Sequence, residues 1–227
     1  MRDVPAFFAE LGVWVAGRGV PVTRHEYGPA DDQHADLRLP EPAGPHRVAV
    51  VIHGGFWRAA YTKQNTAAVA VALTELGWAT WNIEYRRGGS YSETLGDVRA
   101  ACDALRGLDA PLDLESVVAV GHSAGGQLAL WAGAEGSVSA AAALAGICDL
   151  DGAARDDLGD GAVVSFLGGD RTSAGYAAAD PLRRLPLGVP VLLAHGTADD
   201  NVPLAQSRTY RDTAEAAGDA CRLVELE

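Results

Sequence analysis

A chain of 227 residues, 48% hydrophobic and 21% charged, is long enough for one domain with a large core and has an ordinary globular composition. The formal net charge of −12, with no basic run longer than Arg86-Arg87, argues against nucleic-acid binding, which needs a cationic patch to displace counterions. No apolar window of about 18 residues occurs, so no membrane span is expected.

In chain order, "MRDVPAFFAELGVWVAG" opens like a leader, but Asp3, Pro5 and Glu10 interrupt it. A short amphipathic helix is predicted there instead. "PVTRHEYG" and "ADLRLPEP" read as two short strands, an antiparallel start. From about residue 46, apolar runs alternate with helical patterns. Strands are predicted over 47–53, 78–85, 116–121, 138–146, 189–196 and from Cys221 to the last residue, Glu227. The helices between them span 66–77, closed by Gly77, then 92–108, 124–134 and 204–218. The helix at 92 begins on a Ser-x-x-Leu variant of a cap. Near-continuous apolar strands separated by helices mean a mostly parallel sheet covered on both faces. The pattern lapses between about 147 and 187, an Asp- and Gly-rich stretch with two short helical pieces. An insertion of that length after a strand reads as a small cap or pocket wall on a single domain. Cys102, Cys148 and Cys221 form no CxxC pair, so neither a zinc site nor a disulfide scaffold is indicated. They fit small core residues in a reduced, cytoplasmic compartment.

The strongest local signal is Gly121-His122-Ser123-Ala124-Gly125. A strand enters and a helix leaves, the setting in which a strained turn lifts a serine Oγ above a sheet. The Ala124 N–H, near the helix N-terminus, then faces a developing oxyanion. A glycine-rich turn whose serine only caps the helix is the alternative.

"HGGFW" follows the strand that ends at His53. Gly54 and Gly55 have no side chain to keep a substrate carbonyl from their amides, and His53 suits a loop-orienting role. Phe56 and Trp57 are candidates for an aromatic pocket wall. Asp199, in "LLAHGTADDNVP", stands after a late strand, where an acid that orients a histidine belongs. Asp200 competes with it, and both alternatively form a solvated, helix-capping loop.

His53-Gly54-Gly55-Phe56-Trp57, Asn82-Ile83-Glu84-Tyr85-Arg86-Arg87, Gly121-His122-Ser123-Ala124-Gly125-Gly126 and His195-Gly196-Thr197-Ala198-Asp199 occur in that order. Over about residues 46–227 the chain resembles the α/β-hydrolase superfamily, and within it the arylformamidase (kynurenine formamidase)-like and esterase branch. The resemblance implies an α/β-hydrolase fold with Ser123 as nucleophile, Asp199 as acid and the amides of Gly54, Gly55 and Ala124 as oxyanion hole. It implies a small ester or N-formyl aryl amide as substrate, with no cofactor and no metal. Neither nucleic acid nor membrane is an expected partner, and a homodimer is left open. Arg86 and Arg87 either meet a substrate carboxylate or, the commoner use, anchor a loop through salt bridges.

Such a hydrolase needs an imidazole to take the serine proton. The six histidines are His25, His34, His46, His53, His122 and His195, and none follows Asp199. Three accounts remain open. The simplest is a chain cut short a few residues before its base, which would leave the sequence as it stands a very poor hydrolase. The others are a pocket kept for binding alone, or a base recruited from these histidines or from another subunit.

Overall fold

The computed structural model describes residues 4–169 and 174–227; parts of the predicted N-terminal helix and of the 147–187 insertion lie outside the described residues. The chain begins with α1 (Val4–Arg18), β1 (Thr23–Glu26), β2 (His34–Arg38), β3 (His46–Ile52) and α2 (Ala67–Glu75). Next come β4 (Ala79–Ile83), α3 (Tyr91–Ala104), β5 (Leu112–His122), α4 (Ala124–Ala134) and β6 (Ala140–Leu144). The insertion contributes α5 (Leu150–Arg155), α6 (Ala162–Leu167) and α7 (Ala174–Ala179). The chain then runs through β7 (Val191–Gly196), α8 (Ala205–Ala216) and β8 (Cys221–Leu226).

The eight strands form one sheet in the order β1-β2-β4-β3-β5-β6-β7-β8. β1 pairs antiparallel with β2 and β2 with β4, and every later pairing is parallel. This is the mostly parallel sheet flanked by helices that the sequence predicts. After β3 the chain winds first to β4 on one side and then returns to β5 on the other. The carboxyl ends of β3 and β5 therefore flank a crevice, where ligands bind in open α/β sheets.

Both faces of β3 are buried. Val48, Val50 and Ile52 join the larger core, while Ala49 and Val51 pack with Ala70 on the other side. Burying each such valine or isoleucine contributes about 1.5–3 kcal/mol. β6 is a strand made of four alanines and a leucine, a choice that packing explains. A Cβ on Gly126 of α4 would stand 3.1 Å from the Ala143 Cβ and 2.8 Å from the Gly146 Cα. Small residues on both elements let α4 lie close over β6.

Three local features differ from the sequence reading. Helix α3 starts at Tyr91, and its cap is Ser90 rather than Ser92. Ser90 Oγ accepts from the Glu93 amide while the Glu93 carboxylate accepts from the Ser90 amide, a complete capping box. β5 begins at Leu112, ahead of an irregularity opposite Arg47/Val48. The insertion holds three α-helices and one 3-10 turn (Pro181–Arg184) among its described residues, not two helical pieces. Among the described residues no helix is long and apolar enough to cross a membrane.

Candidate active site

β5 delivers Ser123 with φ 55 and ψ −121, a backbone region costing roughly 1–3 kcal/mol for a residue with a side chain. Neighbours hold it there. Its amide donates to the Leu144 carbonyl at 2.9 Å, and its own carbonyl accepts from Gly126 at 2.9 Å and Ile147 at 3.2 Å. The flanking glycines are required by contact: a Cβ on Gly121 would overlap the Gly125 carbonyl, and one on Gly125 the Ile52 carbonyl. β3, β5 and α4 thus meet backbone to backbone at the turn.

The loop after β3 bends through Gly55, Phe56 and Trp57, with φ of 109, 51 and 54. Gly54 lies against the serine turn, where a Cβ would come within 2.6 Å of the His122 carbonyl and 2.9 Å of the Ser123 Cβ. The Gly54 carbonyl accepts from His53 Nδ1 at 2.8 Å. In a trans peptide the C=O and the following N–H point oppositely, so the Gly55 N–H faces away from His53. The Gly55 and Ala124 amides donate to no acceptor among the described residues.

His53 is the centre of a buried cluster. Its Nε2 lies 2.6 Å from Glu84 Oε1, its ring stacks on Tyr85 at 4.3 Å, and the Tyr85 hydroxyl donates to its carbonyl at 2.8 Å. Both ring nitrogens thus have partners, the Gly54 carbonyl on one side and the Glu84 carboxylate on the other. The Glu84 carboxylate also accepts from the Lys63 amide at 3.0 Å and pairs with Arg87. Burial alone would push this carboxyl up. The His53 hydrogen bond and charge, the Lys63 amide and Arg87 together outweigh burial and hold it below its ordinary value. Sequence reasoning missed Glu84 as a partner of His53. The parallel register was the available signal, because β3 and β4 pair Ile52 with Ile83, which puts the next residues side by side.

Arg86 and Arg87 anchor structure. Arg86 forks onto Asp97 at 2.7 and 2.9 Å and reaches Glu93 at 2.9 Å, whereas Arg87 serves Glu84.

On the far side of the crevice, Asp199 Oδ1 accepts from the Asn201 and Val202 amides, each at 2.9 Å. This closes the loop, with Asp199 in the wall of the Ser123 cavity, while Asp200 is exposed and meets Asn201 at 3.2 Å. His195 is buried and spoken for: Nδ1 lies 2.8 Å from Ser207 Oγ and Nε2 2.8 Å from the Val202 carbonyl, with Asp199 Oδ2 at 3.6 Å. His46 opens β3, and His25 and His34 lie on β1 and β2 at the sheet edge away from β5.

Gly54, Gly55, Phe56, Tyr61, His122, Ser123 and Asp199 share the wall of one cavity of about 690 Å³. His122 is the histidine of that wall. Its edge is open to the cavity, yet the surrounding walls disfavour the imidazolium and lower its pKa, with Asp199 opposing and His195 adding to the effect. Trp57 is not part of this wall. It is 3% exposed, stacks on Phe166 at 4.3 Å and donates to Gln127 at 3.1 Å. It lines a neighbouring cavity instead. Together the residues of the larger cavity can present a serine hydroxyl, the unpartnered Gly55 amide and a carboxylate to one bound carbonyl compound, with the Ala124 amide next to the serine.

A family model described as the prolyl oligopeptidase family matches residues 58–225. No curated protein matches the chain. Solved structures do. One is esterase 2 of Thermogutta terrifontis phosphoramylated by tabun, with 22% identity over 91% of this chain and 83% of that one, at a TM-score of 0.73. Another is a truncated form of a carbohydrate esterase from gut microbiota, with 20% identity over 89% and 87% and a TM-score of 0.77. A third is a bifunctional GH43-CE protein of Bacteroides eggerthii, 24% identical, with a TM-score of 0.78 over 89% of this chain and 34% of that one. These three likenesses establish a shared α/β-hydrolase fold.

Proposed function

The chain belongs to the prolyl oligopeptidase family, and from that premise we propose that it is a serine hydrolase cleaving a small ester or N-formyl aryl amide through an acyl-enzyme on Ser123. The observation that carries this reading is the strained Ser123 backbone facing a cavity beside the two unpartnered amides. Ser123 Oγ attacks the substrate carbonyl, and the oxyanion meets the N–H groups of Gly55 and Ala124, with Gly54 as the third candidate donor. Collapse expels the alcohol or amine with a proton, and water then releases the acid from the serine ester. The Ser123 proton needs an imidazole acceptor that Asp199 would orient and stabilise, and the histidine lining the cavity with Ser123 and Asp199 is His122. His53 and His195 are committed to other partners, so neither serves as this base.

Esterases among the structures of the same fold support the ester half of the proposal. The formamide half rests on the resemblance carried by His53 to Trp57 and Tyr85 to Arg87. The alternative is a binding protein with the same cavity, favoured by the engagement of His53 and His195 elsewhere. Labelling with a fluorophosphonate probe, beside turnover of p-nitrophenyl acetate and an N-formyl aryl amide, separates the two. The expected result is Ser123-dependent labelling and turnover, slow in the sequence as it stands because no histidine follows Asp199, and both lost in Ser123→Ala. Labelling and turnover no faster than in Ser123→Ala would leave only the binding protein.

A further inference from the structure

A second cavity of about 320 Å³ lies beside the one that holds Ser123, within the size range of small-ligand sites, about 300–1,000 Å³. Trp57 and Phe166, stacked on each other, give it an apolar wall, and Arg58, Asp160 and Ser165 give it a polar one. Among the described residues, Phe56 alone lines both cavities. Its position is over-determined. The backbone is left-handed at φ 51, and a Cβ on Gly159 would come 2.5 Å from the Phe56 Cδ1, so the ring lies flush against the insertion. Arg58 ties the same spot down by donating to the Gly159 carbonyl, with its guanidinium 5.9 Å from the Phe56 ring centre. Gly159 itself has φ 71, which glycine adopts without strain.

We infer that the Phe56 ring is the partition that limits the length of substrate group accepted beside Ser123, and that the smaller cavity is a second substrate pocket closed off by it. The group it would take is an apolar chain or ring with a polar end, matching the Trp57–Phe166 wall and the Arg58, Asp160 and Ser165 side chains. This rests on the hydrolase reading of Ser123. The partition differs from a general pocket wall because removing one ring joins two spaces that are otherwise separate. Each methylene that then finds apolar surface adds about 0.8 kcal/mol, or about a fourfold gain.

The test compares wild type, Phe56→Ala and Phe56→Leu on p-nitrophenyl esters from acetate to dodecanoate. Binding of the matching linear carboxylates is followed by calorimetry in each protein and again with Ser123→Ala added. In wild type, kcat/KM and carboxylate affinity are expected to stop rising at short chains. In Phe56→Ala both continue to rise about fourfold per methylene for several carbons, with Phe56→Leu between. The leucine variant keeps the comparison alive if the alanine variant does not fold. A common chain-length limit in all the folded variants would overturn the partition. A shifted limit in carboxylate binding with no Ser123-dependent ester turnover would uphold the partition and sink the hydrolase reading instead.

Discussion

His53 Nε2 stands 2.6 Å from Glu84 Oε1 with both side chains buried, and through its other nitrogen the same ring holds the Gly54 carbonyl. One carboxylate on the β4 side thus fixes the direction of an amide on the β3 loop. The Glu84→Gln substitution keeps the shape and removes the charge that anchors His53 and Arg87. Loosening one oxyanion donor lowers kcat by up to about 10²–10³ while KM changes little. Leaving the buried Arg87 guanidinium uncompensated costs about 3–5 kcal/mol. Steady-state kinetics on p-nitrophenyl acetate and urea unfolding read the two effects separately. An unchanged kcat in a folded protein would remove Glu84 from the positioning of the loop.

Asp199 and Asp200 are adjacent but differently placed. Asp199→Asn retains an oxygen for the Asn201 and Val202 amides, so the loop stays closed, while the charge that holds an imidazolium is lost. A drop in kcat is expected, reaching the order of 10⁴ where an imidazole base is held by Asp199. Asp200→Asn, exposed and outside the cavity wall, should leave kcat within about twofold, as surface changes usually have small effects. Equal losses from the two substitutions would show that the acid has been assigned to the wrong residue.

Two buried carboxyls give stability opposite pH dependences. Burial pushes Asp180 up to about 6, although the Leu150 and Leu182 amides pull it down. Between its unfolded value near 3.8 and about 6, the native state holds a proton that the unfolded chain releases. Stability therefore falls as pH rises through that window, by up to about 3 kcal/mol, and levels off above it. Asp180→Asn should flatten this slope in urea titrations between pH 4 and 6.5. Glu84, held below its ordinary value, works the other way. Its contribution is present above the unfolded value of about 4.5 and is lost as pH falls through the lower folded value. An acid limb that Glu84→Gln leaves unaltered would contradict this.

Gly125→Ala puts a methyl group into the Ile52 carbonyl. Overpacking of this kind costs about 1–3 kcal/mol, and relief must come from moving β3 or the serine turn. A lowered urea midpoint together with a lost rate of fluorophosphonate labelling is expected. A neutral variant would mean that the backbones are not in contact there.

The sheet was legible because its strands are unusually plain: Val48 to Ile52 and Val117 to Val120 are apolar runs between glycine-bearing turns. The serine turn was legible because Gly121 and Gly125 are demanded by steric contact, which leaves a mark in the sequence. Other features leave weaker marks. Phe56 and Trp57 both take left-handed backbone angles, which bulky residues rarely adopt, so alternation along the loop could not show that only Phe56 faces the Ser123 cavity. Ser90 and Ser92 are equally good caps by residue type, and Glu93, three residues after Ser90, decides between them. The Glu84–His53 pair spans 31 positions, so only the strand register reveals it. The helices of the insertion are only six residues each, too short to be stable alone, so packing makes them helical.

The seam of small residues between α4 and β6 also bears on motion. With the helix backbone resting almost directly on the strand, local opening of this region has little space to begin in, and it would have to break the parallel pairing of β5 with β6. The amides of Leu128 to Leu130 and of Ala141 to Ala143 should then be among the slowest in the protein to exchange with deuterium, opening only with global unfolding. The nucleophile would be mounted on the part of the molecule that breathes least, leaving the Phe56 loop and the insertion above it as the side from which a substrate enters.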